Sequence, residues 1–367
     1  MGNGQVYVGA REVMTASTAV DKPQADRYND ICELFANLCP ERLYMKKVIS
    51  LLLAVLMLAG TLCGCTAAPD GTGKLKIVCT VFPLYDWMRQ LTAGSDGVEL
   101  ILIADNGVDM HSYQPTTGDI VDISTCDMLV YTGGQSDEWV DEIVERSGNG
   151  HMTVAHLIDE LGDRALCAAP HEHNDHEDSH DGHHHHEDAK DEHIWLSAVN
   201  ARVLCERLSA MLCRLDSGNA PVYEANAEEY IAALEELDKQ YRAAVDEGQS
   251  KALLFADRFP FRYLAEDYDI AYCAAFDGCE AETEASFDTV AHLAAEIDSK
   301  QLDWVLIIEG SEDRLARTII GASHRPDCGV LTLDSMQSVT AEDIDGGVTY
   351  LSVMEENLAV LRQALGC

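Results

Sequence analysis

Basic residues are scarce in this sequence. It has 25 Lys and Arg against 64 Asp and Glu, a formal net charge of −39 over 367 residues. Nucleic acid is thereby excluded as a partner, because its phosphates would be repelled. Attachment to anionic lipid through the protein's own charge is excluded on the same ground. Long hydrophobic runs are missing as well. The apolar run from Leu51 covers about fifteen residues, short of the ~20 that a membrane-crossing helix needs. Neither a nucleophile elbow nor a phosphate-cradling glycine loop occurs, which leaves little to suggest an enzyme. What remains is a chain with 47% apolar residues, enough for two core-bearing lobes, and a field that attracts cations.

The short apolar run sets the compartment. Met45-Lys46-Lys47 precedes it and Leu62-Cys63-Gly64-Cys65 ends it. Two lysines followed by such a run read as a signal peptide over 45–64. Small residues just before a cysteine resemble the bacterial lipobox, which makes Cys65 the expected lipidated N-terminus of the mature chain. Residues 65–74 (CTAAPDGTGK) then form a flexible tether. Residues 1–44 stand before this leader and are expected to be a misassigned extension, with Met45 the initiator. An uncleaved signal anchor is the alternative. There are 13 cysteines. Export permits disulfides, and Cys273 with Cys279 is close enough in sequence to pair, but buried thiols are an equal reading.

From residue 75 the pattern alternates. Apolar strands are expected at 75–81, 98–104 and 128–132, with helical spacing at 84–91, 120–124 and 139–144. Helices are expected at 194–215 and 220–245. The second has an apolar stripe at Ala227, Tyr230, Ile231, Leu234, Leu237, Tyr241, Ala244 and Val245. No glycine interrupts it until Gly248, so it should be a rod of roughly 35–40 Å. A second series follows, with strands at 252–256, 270–275, 305–308 and 330–333. Helices are expected at 261–268, 287–298 (capped by Ser286), 313–320 and 349–365. The expected fold class is α/β: two βα lobes with central, mostly parallel sheets, bridged by one long rigid helix, with a cleft between the lobes. The boundaries are 75–219 for the first lobe, 220–248 for the helix and 249–367 for the second lobe.

Between the lobes' motifs lies HEHNDHEDSHDGHHHHEDAKDEHIW, residues 171–195. Its stretch His176-Glu177-Asp178-Ser179-His180 matches the zinc-protease pattern H-E-x-x-H. That motif needs a helix packed on a core, and no large apolar residue occurs from 171 to 192. The loop 170–192 is instead an acidic, imidazole-rich tract that holds divalent ions loosely. Its auxiliary ligands are His171, His173, His176, His180, His183, His184, His185 and His186.

Three places put metal-type ligands at strand ends. They are DMHSYQP at 109–115, DEHIWLS at 191–197 and LTLD at 331–334. Together with the bridging helix and the I-I-E that ends at Glu309, they resemble the solute-binding lipoproteins of bacterial zinc and manganese ABC transporters. That family is also catalogued as adhesins, and the resemblance runs from Cys65 to Cys367. It implies metal ligation by His111 and His193 from the first lobe, with Asp334 and Glu309 as carboxylate candidates from the second. It also implies an extracytoplasmic protein, lipid-anchored to the bacterial cell membrane, with a permease and its ATPase as partners and no catalytic residue.

The chain departs from the family at one position. Where a third histidine is usual, in the form H-x-A-F-x-Y-L, this sequence has Arg258-Phe259-Pro260-Phe261-Arg262-Tyr263-Leu264. Arginine cannot coordinate a metal, so Arg258 is expected to pair with a carboxylate: Asp257, Glu309, Asp334 or the cluster at 280–284. Two imidazoles with carboxylate oxygen suit Zn²⁺, with Mn²⁺ as the alternative. Binding through neutral imidazole should weaken below pH ~6.5. Two other classes compete: a zinc hydrolase using the same histidines, and an adhesin or metal-buffering lipoprotein in which the tract is the function.

Overall fold

The computed structural model describes residues 73–168, 189–276 and 285–367. All lie in the second of two compact units into which the chain divides, Thr72–Cys367. The leader, Cys65, the histidine tract, Cys279 and residues 280–284 lie outside the described residues.

Each lobe is built on a four-stranded, all-parallel sheet. In the first, β1 (Leu75–Cys79), β2 (Val98–Leu102), β3 (Met128–Tyr131) and β4 (Thr153–His156) are arranged β2-β1-β3-β4. In the second, β5 (Ala252–Arg258), β6 (Ala271–Phe276), β7 (Trp304–Ile308) and β8 (Gly329–Leu333) are arranged β6-β5-β7-β8. The two orders are the same topology used twice. Central strands read as unbroken apolar runs because helices cover both faces, and every residue of β3 is buried. The chain leaves the first strand of each sheet to one side and returns to the other. A crevice therefore opens at the carboxyl ends of the strands, where ligands bind in open α/β sheets.

Flanking helices follow from the sequence pattern. They are α1 (Phe82–Leu91), α2 (Thr117–Thr125), α3 (Glu138–Ser147) and the short α4 (Leu157–Leu161) in the first lobe. Pro83 sits in the first turn of α1, where its missing N–H costs nothing. Next come α5 (Ala198–Leu215) and α6 (Ala220–Glu247), then α7 (Arg262–Asp267), α8 (Phe287–Lys300), α9 (Arg314–Ala322), α10 (Ala341–Asp345) and α11 (Tyr350–Leu365). Ser286 caps α8 by accepting from Thr289 N–H, as expected.

Two differences from the sequence reading bear on the site. The strand β4 and helix α4 had no counterpart in it. The expected helix over 194–215 is broken: a 3₁₀ turn, Ile194–Leu196, precedes α5. The cause is Ser197, whose extended backbone and side-chain bond to Asn200 N–H begin a new helix.

The helix α6 has 28 residues and spans about 42 Å at 1.5 Å per residue. Its buried stripe is Tyr223, Ala227, Tyr230, Leu234, Leu237, Tyr241, Ala244 and Val245, with Ile231 only half-buried. It packs on α1 of the first lobe and α11 of the second, and Tyr241 Oη donates to Met354 O. One buried cluster runs from Ile77 in the first lobe to Leu365 in the second. Polar bonds cross with it. Trp195 Nε1 donates to Ser335 O at 2.9 Å, and Tyr350 Oη donates to Trp195 O at 2.7 Å. Among the described residues no helix is long and apolar enough to cross a membrane.

Candidate metal centre

His111 and His193 come together although 82 residues separate them. Each is set by the same local device, an aspartate two residues earlier. Asp109 caps a 3₁₀ turn, Met110–Ser112, and its Oδ1 accepts from His111 N–H at 3.0 Å. Asp191 Oδ1 accepts from His193 N–H at 3.0 Å. Short Asp side chains make such turns readily. Buried Met110 on one side, and Ile194 and Trp195 on the other, anchor the turns in the core.

The two Nε2 atoms face each other at 3.3 Å, and the ring of His193 is only 2% exposed. The other ring nitrogens are engaged. Asp191 Oδ1 lies 2.9 Å from His193 Nδ1. Ser136 Oγ lies 2.7 Å from His111 Nδ1 and donates to Glu192 Oε1 at 2.7 Å. A hydroxyl that gives its proton to a carboxylate must accept from the imidazole, so the partners place the proton of each neutral ring on Nδ1. Both Nε2 lone pairs then point into the same space. That arrangement is repulsive until a cation enters it. An ion held at a Zn–N length of about 2.1 Å in a tetrahedral shell separates two such nitrogens by about 3.4 Å, so the donor pair fits zinc.

Glu192 deepens the negative field. Ser136 N–H donates to its Oε2 at 3.0 Å, and its Oε1 lies 3.1 Å from His111 Nδ1. Burial opposes ionisation of Glu192, but the bonds and charge from His111 and His193 hold its carboxyl below the ordinary value. Asp191 behaves the same way: burial opposes, and His193 and then Arg262 prevail. Gly134, at φ +89°, makes room for this cluster, since a Cβ there would stand 3.0 Å from Glu192 Oε2. Behind it, Asp137 is fully buried and accepts from Thr132 and Gly133 N–H. Burial pushes its carboxyl up to about 7, and the Glu192 charge adds to that.

The sequence reading assigned no role to Ser136, Glu192 or Asp137. A signal was present: two consecutive glycines directly after an apolar strand, followed by polar residues (GGQSDEW), with DEH at the second histidine.

Among the described residues, Glu309 and Asp334 form no ligating group of three with the imidazole pair. Glu309 accepts from Ser335, whose N–H and Oγ donate to it at 2.7 and 2.6 Å. Both carboxylates line a separate cavity of about 260 Å³ in the second lobe, with Asp343 and Glu356. Burial raises both, helped by Asp334 at Glu309 and by Glu356 and Asp343 at Asp334. Among the described residues, no three His, Cys, Asp or Glu side chains form a ligating group. Arg258 does reach the cleft, but its carboxylate partner among the described residues is Asp109 of the first lobe, at 2.8 Å. Of the expected partners, the cluster at 280–284 lies outside the described residues. Cys273 is a free thiol.

Comparison with known proteins matches this geometry to a family. Over 322 residues the chain is 32% identical to the zinc-binding lipoprotein AdcA of Streptococcus pneumoniae, covering 87% of this chain and 61% of that protein. It therefore spans about three fifths of that relative's length. It is 28% identical to the high-affinity zinc uptake system protein ZnuA of Bacillus subtilis, over 80% of this chain and 88% of that one. The crystal structure of the Zn(II)-bound ZnuA-like domain of Streptococcus pneumoniae AdcA superposes with a TM-score of 0.64 at 26% identity, covering 80% of this chain and all of that domain. The family described as ZnuA, zinc-uptake complex component A, periplasmic, matches residues 77–364. On that match the chain belongs to the ZnuA family of zinc-uptake components.

Proposed function

We propose that this chain is the extracytoplasmic metal-binding component of an ABC transporter, capturing Zn²⁺ and delivering it to a membrane permease driven by an ATPase. The observation that carries the reading is the pair of Nε2 atoms facing each other at 3.3 Å, with each Nδ1 beside a partner that can accept its proton. His111 and His193 are the proposed ligands. Zinc is favoured over manganese because imidazole nitrogen suits it better. The leader at 45–64 and Cys65 support a lipid-anchored protein outside the cytoplasm. The named relatives are zinc-binding and zinc-uptake proteins, which weighs against a hydrolase.

The test is competition of the metal-free mature chain with a zinc chelator. One tight ion is expected. His111→Ala and His193→Ala should each weaken it beyond the ~10–100-fold cost of losing an outer partner. Wild-type affinity in both variants would falsify the ligand assignment. A parallel titration with Mn²⁺ should give weaker binding, and the reverse order would make manganese the cargo.

A further inference from the structure

Both histidine turns belong to the first lobe, yet both are touched by one short segment of the second. That segment is Asp257–Tyr263, which joins the end of β5 to α7. The two Asp-x-His units divide their carboxylates alike, though Arg262 Nη1 donates its hydrogen bond to Cys167 O and meets Asp191 only as a charge. In Asp109, Oδ1 accepts from His111 N–H at 3.0 Å and Oδ2 faces Arg258 Nη1 at 2.8 Å. In Asp191, Oδ1 binds His193 N–H and Nδ1 at 3.0 and 2.9 Å, and Oδ2 faces Arg262 Nη1 at 3.7 Å. One oxygen orients the histidine and the other meets an arginine.

The segment is held at several points. Between the arginines, Phe259 and Phe261 are buried and pack on Phe255, with ring centroids 4.9 and 5.5 Å away. Asp257 Oδ2 accepts from Ile308 N–H at 3.2 Å, tying the segment to β7. Next to Arg262, Tyr263 Oη donates to Asp191 O at 2.8 Å and accepts from Leu166 N–H at 3.0 Å.

We propose that Arg258 and Arg262 are positioning residues: a paired arginine clamp through which the second lobe holds Asp109 and Asp191, and so orients His111 and His193. The inference rests on the metal-binding reading above. Arg258 occupies the place where relatives were expected to supply a third imidazole, and here it contributes to the site through Asp109. Without the guanidinium, the Asp109 carboxylate is free to rotate off the His111 N–H.

Zinc affinity by chelator competition tests this, with the thermal midpoint of each metal-free variant as a check on folding. Arg258→Ala should weaken zinc binding by about tenfold, the low end for an outer partner of a metal ligand. Arg258→Lys should recover most of that loss, because the cation returns. Asp109→Asn should cost as much as Arg258→Ala, and the double variant no more than either, since the two act as one unit. A purely structural role would instead give equal losses of midpoint without rescue or non-additivity. Arg262→Ala should cost less than Arg258→Ala, given its longer separation. If Arg258→Ala and Arg258→Lys both bind zinc as tightly as wild type, or more tightly, while His111→Ala loses it, the clamp is overturned and the proposed function stands. If the unaltered chain holds no stoichiometric zinc, the function itself fails.

Discussion

At the scale of single residues, the support of His111 and His193 matters as much as the two rings. Asp137 is the side chain whose chemistry is least ordinary. It is fully buried with its carboxyl pushed up to about 7 from 3.8, by burial first and then by the charge of Glu192. In the unfolded chain the same group ionises near its ordinary value. Between about 4 and 7 the folded protein therefore holds one proton that the unfolded chain has lost, and stability falls as pH rises through that window. Asp137→Asn keeps an acceptor for Thr132 and Gly133 N–H and removes the ionisation. The metal-free variant should gain on wild type progressively as pH rises from about 4 towards 7 and keep a constant gain above that, of at least on the order of 1 kcal/mol, or a rise of about 2–4 °C. Thermal unfolding from pH 5 to 8.5 measures it. A gain that is the same at every pH would mean that Asp137 does not titrate in this range.

At the scale of elements, the histidine tract is joined to the site through a neck. Cys167 and Lys190 form an antiparallel bridge, with Ala168 N–H donating to Ala189 O at 2.7 Å and Asp191 N–H to Leu166 O at 2.9 Å. The chain thus leaves and re-enters at one place, and Tyr263 holds the re-entering strand at Asp191. Replacing 171–187 by a short glycine linker should leave the neck closed and the tight ion bound. The weakly held ions should be lost, because a tract with no apolar anchor grips none of them firmly. Calorimetric stoichiometry should fall from several ions to one, and disappearance of the tight ion instead would make the tract the primary site. Strands such as β3 were legible because a strand buried on both faces is simply apolar, and α6 because its stripe is continuous. The edge strand β4 was not: among its four residues only Ala155 is buried, which erases the pattern. The two histidines that the fold brings together had been singled out from local motifs. The surroundings of Glu309 were not legible, since no sequence pattern says which neighbour a carboxylate at a strand end will meet. Here Ser335 N–H and Oγ bind Glu309. The pairing of Arg258 with Asp109 joins two lobes across 149 positions, and only the folded chain brings them together.

At the scale of the whole molecule, one core and one long helix run through both lobes. A large hinge motion would have to break the Trp195–Ser335 and Tyr350–Trp195 bonds at the centre of that core. On the proposed function, metal capture is then governed less by closure than by arrival at a formed pair of donors. Arrival is where the net charge of −39 acts. A divalent cation approaching such a surface is drawn in over distances comparable with the screening length, about 30 Å at 0.01 M salt and about 8 Å at 0.15 M. Once the ion is between the rings, the attraction comes from short, buried contacts that salt screens far less. The association rate should therefore fall several-fold between those salt concentrations, with the dissociation rate nearly constant. Stopped-flow mixing of the metal-free chain with Zn²⁺, and separately of the loaded chain with excess chelator, resolves the two rates. An association rate indifferent to salt would show that the acidic surface serves solubility alone. A dissociation rate that rises in step with salt would place the captured ion at the surface, outside the pair formed by His111 and His193.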